Sequence, residues 1–188
     1  MKYLNHITMK YLPFLETERL IIRPITLEDT MEFFEMDSQP EVHTYLRDKP
    51  LKTIDEALNL LNSIRLQYRK HGIGRVAVIE KSTFRFIGWT GFKFIEESYN
   101  NHSKYLDFGY RLKKEAWDKG YATEAAKACM NYYYETLKHF NLHAMTHQMN
   151  EASKNVLQKV GFVISDEFIL EGSDTKCFWY DLKKDSSF

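Results

Sequence analysis

Three β-rich runs follow one another between residues 75 and 112: RVAVIEK, FRFIGWTGFKFI and KYLDFGYRL. They are crowded with Val, Ile, Phe and Tyr, residues that suit a pleated, half-buried surface. The first two, residues 75–81 and 84–95, are separated by a short polar turn and predict a hairpin. The third, 104–112, is entered through the polar loop EESYNNHS. A chain with this centre must build a sheet, and the segments on either side must cover it.

Those segments carry helical patterns. RLIIRPI (19–25) predicts a strand ended by Pro24, and TLEDT then starts a helix over 28–36 with acids in its first turn. In the run 55–72, Ala57, Leu58, Leu61, Ile64 and Tyr68 share one helical face and Gly72 supplies the stop. A later helix, from about 122 to 138, carries Ala122, Ala126, Cys129, Tyr133 and Leu137 in one stripe. LHAMTHQ (142–148) predicts a strand and NEASKNVLQKVG (150–161) a short capped helix, before two closing strands over 162–170 and 176–182. The sequence holds no repeat, low-complexity tract or interdomain linker. The expectation is one α+β domain on a mixed sheet, over 16–184, after an N-terminal extension of residues 1–15.

Charge and cysteine content narrow the setting. With 26 basic and 26 acidic residues the chain generates no overall field for nucleic acid or a membrane surface. No run approaches the roughly 18 apolar residues of a membrane span, so a soluble, reducing, cytoplasmic setting is expected. Cys129 lies on the apolar face of its helix and reads as a buried thiol. His139, His143 and His147 recur every four residues, but Asn141 and the β-like LHAMTH break the helix that would align them. No metal site is therefore expected.

The stretch WDKGYATEAAKAC (117–129) raises the chemical question. A helix's first N–H groups have no partners inside the helix, and the peptide dipoles leave partial positive charge there. Gly120 and Ala122 keep the side chains small, so that a phosphate can approach those amides, and Lys119 adds a charge. Gly120 would serve tight helix–strand packing equally well. Nucleotide-hydrolysis and dinucleotide loops fit worse, because neither GxxxxGK[ST] nor GxGxxG occurs.

LDFGYRL, WDKGYATEA and NEASKNVLQKVGF together resemble, in order and spacing, the GNAT superfamily of acetyl-coenzyme-A-dependent N-acetyltransferases. With ETERLIIRPITLEDT and PEVHTYL they resemble in particular the branch containing the ribosomal-protein N-terminal acetyltransferases. The resemblance implies a GNAT-type sheet, mostly antiparallel and flanked by helices, that splays at the cofactor-binding strand. It implies acetyl-CoA as co-substrate, with Tyr110, Arg111 and Leu112 pairing their backbone with the pantetheine arm. It places the pyrophosphate loop at Asp118, Lys119, Gly120, Tyr121, Ala122 and Thr123, and a cofactor-arm contact at Asn150. An amine acceptor would attack the thioester directly through a tetrahedral intermediate, its oxyanion held by backbone N–H at the splayed strand.

The match departs from the family at three places. Trp117 stands at a Gln/Arg position and is expected to pack. Asp118 stands where the branch has glycine, and its side chain is expected to turn to solvent. Leu157 stands where many members carry a tyrosine as general acid, and the resemblance proposes Ser153, one turn earlier, as donor instead. Asp107 is the first candidate base and Glu171 the second, each with a solvated-carboxylate alternative; Asn150 would serve equally as a helix cap. An α-amine with a pKa of about 8 is roughly a tenth neutral at pH 7, whereas a lysine amine is below about 0.1% neutral. The resemblance implies a protein N-terminal α-amine as the acceptor, which could manage with a modest base. A small amine (polyamine, amino sugar or drug) and a non-catalytic CoA-binding module are the alternatives. The aromatic content fits a hydrophobic acceptor, a homodimer contact or the core.

Overall fold

The β-rich centre of the sequence forms the centre of the sheet. In this computed structural model, residues 12–46 and 49–183 are described. In chain order the elements are β1 (Leu15–Glu16), β2 (Leu20–Pro24), α1 (Thr30–Asp37), α2 (Ile54–His71), β3 (Arg75–Glu80), β4 (Phe86–Ile95) and β5 (Tyr105–Leu112). Then come α3 (Tyr121–Tyr132), β6 (Leu142–His147), α4 (Glu151–Lys159), β7 (Phe162–Ile169) and β8 (Lys176–Leu182). The eight strands lie in the order β1-β2-β3-β4-β5-β6-β8-β7. Every neighbouring pair is antiparallel except β5 and β6, which are joined through α3 and run parallel.

The parallel pair is short. β4 and β5 stay in register from Gly88 opposite Leu112 to Ile95 opposite Tyr105. β5 and β6 pair only where Leu106, Asp107 and Phe108 meet Leu142, His143 and Ala144. Beyond that point β6 follows β8 as far as His147 opposite Cys177, while Gly109–Leu112 stays with β4. The sheet therefore opens as a V between two arms, and the expected splay is present.

Each face has its own helical layer. On one, α1 and α2 bury Phe33, Met36, Ala57 and Leu61 against Ile25, Ala77, Ile79 and Phe86. On the other, Ala125, Ala126, Cys129, Met130, Val156 and Leu157 of α3 and α4 pack on Val76, Val78, Leu106, Phe108 and Leu112. The caps follow from the sequence: Thr53 accepts from the Glu56 amide at the start of α2, and Gly72, at φ 68, returns its N–H to the Tyr68 carbonyl at the end. The Cys129 thiol is buried as expected, and burial pushes its pKa up to about 12.

Three boundaries differ from the expectation. Phe84 belongs to the hairpin turn, with φ 56, and β4 begins at Phe86. The helix expected over 122–138 is regular only to Tyr132; Tyr133–Leu137 widens into a π turn, which still keeps Tyr133 and Leu137 buried. Leu15, the last residue of the proposed extension, already pairs with Ile22 in the sheet. Residues 1–11 of that extension lie outside the described residues.

Candidate active site

The open V has a helix start at its mouth. Gly120 caps α3 at φ 81, a left-handed conformation that L side chains disfavour, and no side chain caps this end. The first helical bond around the junction runs from the Glu124 amide to the Gly120 carbonyl at 3.1 Å. Among the described residues nothing accepts from the amides of Tyr121, Ala122 and Thr123. A Cβ on Gly120 would meet nothing closer than Arg19 Nη2 at 3.4 Å, so the glycine itself is uncrowded. Orphan donors and the positive end of a helix dipole together fit a pyrophosphate.

One acid in the first turn of α3 could have opposed such a ligand. Glu124 is instead held on three sides: Thr17 Oγ1 donates to it at 2.6 Å, the Arg19 amide at 2.9 Å, and the Arg19 guanidinium forms an ion pair at 2.6 Å. Burial alone would raise the Glu124 pKa, but these hydrogen bonds bring it below the usual carboxylate range. Arg19 also donates to the Lys119 carbonyl at 2.9 Å and lies over the Tyr121 ring. Arg19 thus neutralises the acid and braces the loop. Its partner is 105 positions away in the chain, so no local motif could have announced it.

Asp118 is exposed at φ 58, a left-handed conformation that glycine adopts without strain. Asp118→Gly should strengthen acetyl-CoA binding measured by calorimetry, both by relieving that strain and by removing a negative charge. An unchanged affinity would show that the carboxylate never feels the phosphates. Trp117 is half packed, 40% exposed, and its indole donates to the Leu112 carbonyl at 2.9 Å, fastening the loop to the β5 arm.

Side chains alternate along that arm. Tyr110 and Leu112 face α3 and α4, whereas Asp107 and Arg111 face α1 and α2. Tyr110 is partly buried between the two core clusters of that face, beside Ala122. Asn150 is the α4 cap, its side-chain oxygen accepting from the Ser153 amide at 3.0 Å. Leu157 is buried in the core. Tyr110, Arg111 and Leu112 thus lie on the β5 arm of the V, Gly120, Tyr121, Ala122 and Thr123 at the start of α3, and Asn150 and Ser153 at the start of α4.

The two proposed bases differ in setting. Asp107 points to the opposite face and is paired with Arg75, whose guanidinium also donates to the Asp107 carbonyl at 2.8 Å. Arg75 reaches across the sheet because Gly109 offers no side chain; a Cβ there would sit 3.0 Å from Arg75 Nη2. Glu171 is exposed in the turn between β7 and β8, at the end of the sheet where β6 finishes. Arg111 pairs with Asp37 at 2.8 Å, tying the arm to the end of α1, and Asp37 is 1% exposed. Tyr45 meets the His147 ring at 5.3 Å, across from the α1 end of the chain to the second arm. Arg19, Arg75 and Asp37 were not among the residues expected from sequence.

His143 is paired through Nδ1 with Asp181 at 2.7 Å, and burial lowers its pKa below the ordinary histidine value. Among the described residues no group of three His, Cys, Asp or Glu converges to hold a metal. Nor is any described helix long and apolar enough to cross a membrane.

Comparison with known proteins agrees with this geometry. The family described as "Acetyltransferase (GNAT) domain" matches residues 19–163. The chain is 30% identical to an uncharacterized N-acetyltransferase, YoaA, of Bacillus subtilis over 151 residues, 80% of this chain and 82% of that protein. It is 27% identical to the spermidine N(1)-acetyltransferase of Escherichia coli, over 80% of this chain and 76% of that one. In structure it is similar to the ribosomal-protein-S5-alanine acetyltransferase of Vibrio fischeri, with TM-score 0.71 and 19% identity, covering 91% of this chain and 97% of that one.

Proposed function

The chain belongs to the GNAT family of acetyl-CoA-dependent N-acetyltransferases, and from that premise we propose that its acceptor is the α-amine of a protein or peptide N-terminus. The observation that carries this reading is the state of the carboxylates on the α1–α2 face. Asp107 is paired with Arg75 and Asp37 with Arg111, so neither offers a free negative charge to a polycation. A single amine, already about a tenth neutral near pH 7, needs no such charges.

In the proposed reaction the amides of Tyr121, Ala122 and Thr123 hold the pyrophosphate, and the unpaired backbone beyond Phe108 aligns the pantetheine arm. Main-chain N–H groups of that arm polarise the thioester carbonyl, and positioning of the two reactants supplies much of the remaining acceleration. Acetyl-CoA brings the activated acyl group. For the base, Asp107 stands ahead of Glu171. Exchange of each to its amide, with rates read across pH, tests that order: an unchanged profile for both would reject the two carboxylates.

A panel of acceptors tests the reading, with free thiol release as the measurement. Peptides with a free α-amine should turn over faster than Nα-blocked lysine peptides and faster than spermidine. A spermidine optimum would replace this reading with the small-amine one, which the Escherichia coli relative favours. Binding of acetyl-CoA with no acceptor turned over would leave a CoA-binding module.

A further inference from the structure

Resting on the acetyl-transfer reading above, we propose that residues 38–46 form a strap across the acceptor side of the V, latched by Tyr45 on His147. The latch limits the bulk that an acceptor carries beside its amine.

The course of the strap is the first support. The cofactor cradle at the start of α3 occupies one face of the sheet, which leaves the α1–α2 face for the amine. On that face the strap starts at the β5 arm, where Arg111 holds Asp37 at the end of α1 at 2.8 Å. It then folds back: the Asp37 carbonyl accepts from the buried His43 ring at 2.9 Å and from the Leu51 amide at 2.8 Å. Tyr45, two residues past that anchor, meets the ring of His147, the last residue of β6, with centroids 5.3 Å apart. Leu142 and Ala144 of β6 pack toward α3 and α4, so alternation puts His147 on the α1–α2 face. One segment therefore runs from the first arm of the V to the tip of the second.

Unequal anchoring is the second. At the β5 end the hold is a buried ion pair, and in the middle it is two hydrogen bonds to one carbonyl. At the β6 end it is a contact between two rings, and Tyr45 is 41% exposed. His147 is the fixed half, because its Nδ1 accepts from the Met149 amide at 3.0 Å. A ring contact is weak beside a buried ion pair, so the strap opens at Tyr45 and pivots about His43. A slender acceptor passes with the latch shut, whereas a bulky one has to break it. Steric sieving of this kind supports discrimination of roughly 10–200-fold.

Tyr45→Ala and His147→Ala each remove the latch. The measure is kcat/KM for a bulky acceptor divided by that for a slender one, taken with peptides beginning Trp or Gly and with benzylamine or ethylamine. Comparing this ratio between variants cancels the basicity of the amines themselves. Each alanine variant should raise it by about tenfold, while KM for acetyl-CoA holds. Tyr45→Phe keeps the ring and should recover the discrimination. The double alanine variant should match either single one, since both remove the same contact. A loss of rate shared equally by bulky and slender acceptors, or a ratio within about twofold of the starting value in both alanine variants, overturns the latch and leaves acetyl transfer intact. Turnover of the simple amines without the peptides overturns the α-amine reading alone, and benzylamine against ethylamine then decides the latch. An unaltered chain that releases thiol with none of these acceptors overturns both.

Discussion

Acetyl-CoA binding is expected to fall by about tenfold or more when Gly120 is replaced by valine. Gly120 sits at φ 81, where an L residue costs about 1–2 kcal/mol and a β-branched one is a genuine outlier. Space is not the obstacle, because the nearest atom to a new Cβ is Arg19 Nη2 at 3.4 Å. The backbone is what has to change, and with it the aim of the amides of Tyr121, Ala122 and Thr123. About 1.4 kcal/mol of misalignment is already a tenfold loss. Gly120→Ala should fall between valine and the starting chain. Calorimetry with acetyl-CoA reads the effect, and a melting curve checks that the fold survives. Gly120→Val with undiminished affinity would mean that the glycine serves only helix packing.

The largest effect on stability is expected from Asp37→Ala. Asp37 is buried and Arg111 is 15% exposed, so the substitution removes a buried counter-charge from the guanidinium in a low-dielectric setting. Breaking such a pair typically costs about 3–5 kcal/mol. For a chain of this length that corresponds to a melting temperature lower by about 6–20 °C. Replacing both partners by apolar residues, Asp37→Leu with Arg111→Met, should recover much of the loss, since no charge is then stranded. Thermal unfolding followed by circular dichroism measures both. If Asp37→Ala melts within about 2 °C of the starting chain, the pair is not holding α1 to the β5 arm.

Much of this architecture was readable before the fold was known, and the reason is periodicity. RVAVIEK and KYLDFGYRL became β3 and β5 within a residue or two, and the Ala126–Cys129–Tyr133–Leu137 stripe became the buried face of α3 and its extension. The start of α3 at Gly120 was legible too, because a glycine marks the break before the apolar stripe. The side-chain pairings were not. Asp107 reads in sequence as a free strand carboxylate, yet Arg75, 32 positions earlier, crosses β4 at Gly91 and passes over Gly109 to meet it. Arg111 and Asp37 are 74 positions apart. Such contacts depend on which strands become neighbours and on which face each side chain emerges, and neither is written in local pattern. The π turn at Tyr133–Leu137 escaped for the opposite reason: its burial pattern imitates a regular helix.

The short β5–β6 pairing has a consequence for what can enter the sheet. An unpaired strand at a sheet's rim invites any passing polypeptide to zip onto it, and proteins usually defend such rims with lysine, proline or a bulge. Residues 109–112 are an interior rim, narrowing to the closed pairing at Phe108 and Ala144. A visiting peptide strand would need about 4.8 Å of clearance on each side, which a wedge closing to one strand spacing withholds at its apex. A slender, tapering chain with amide groups along it meets no such limit. The gap thus guards itself by shape, and Arg111, the one charge on that stretch, is free to turn away and hold α1.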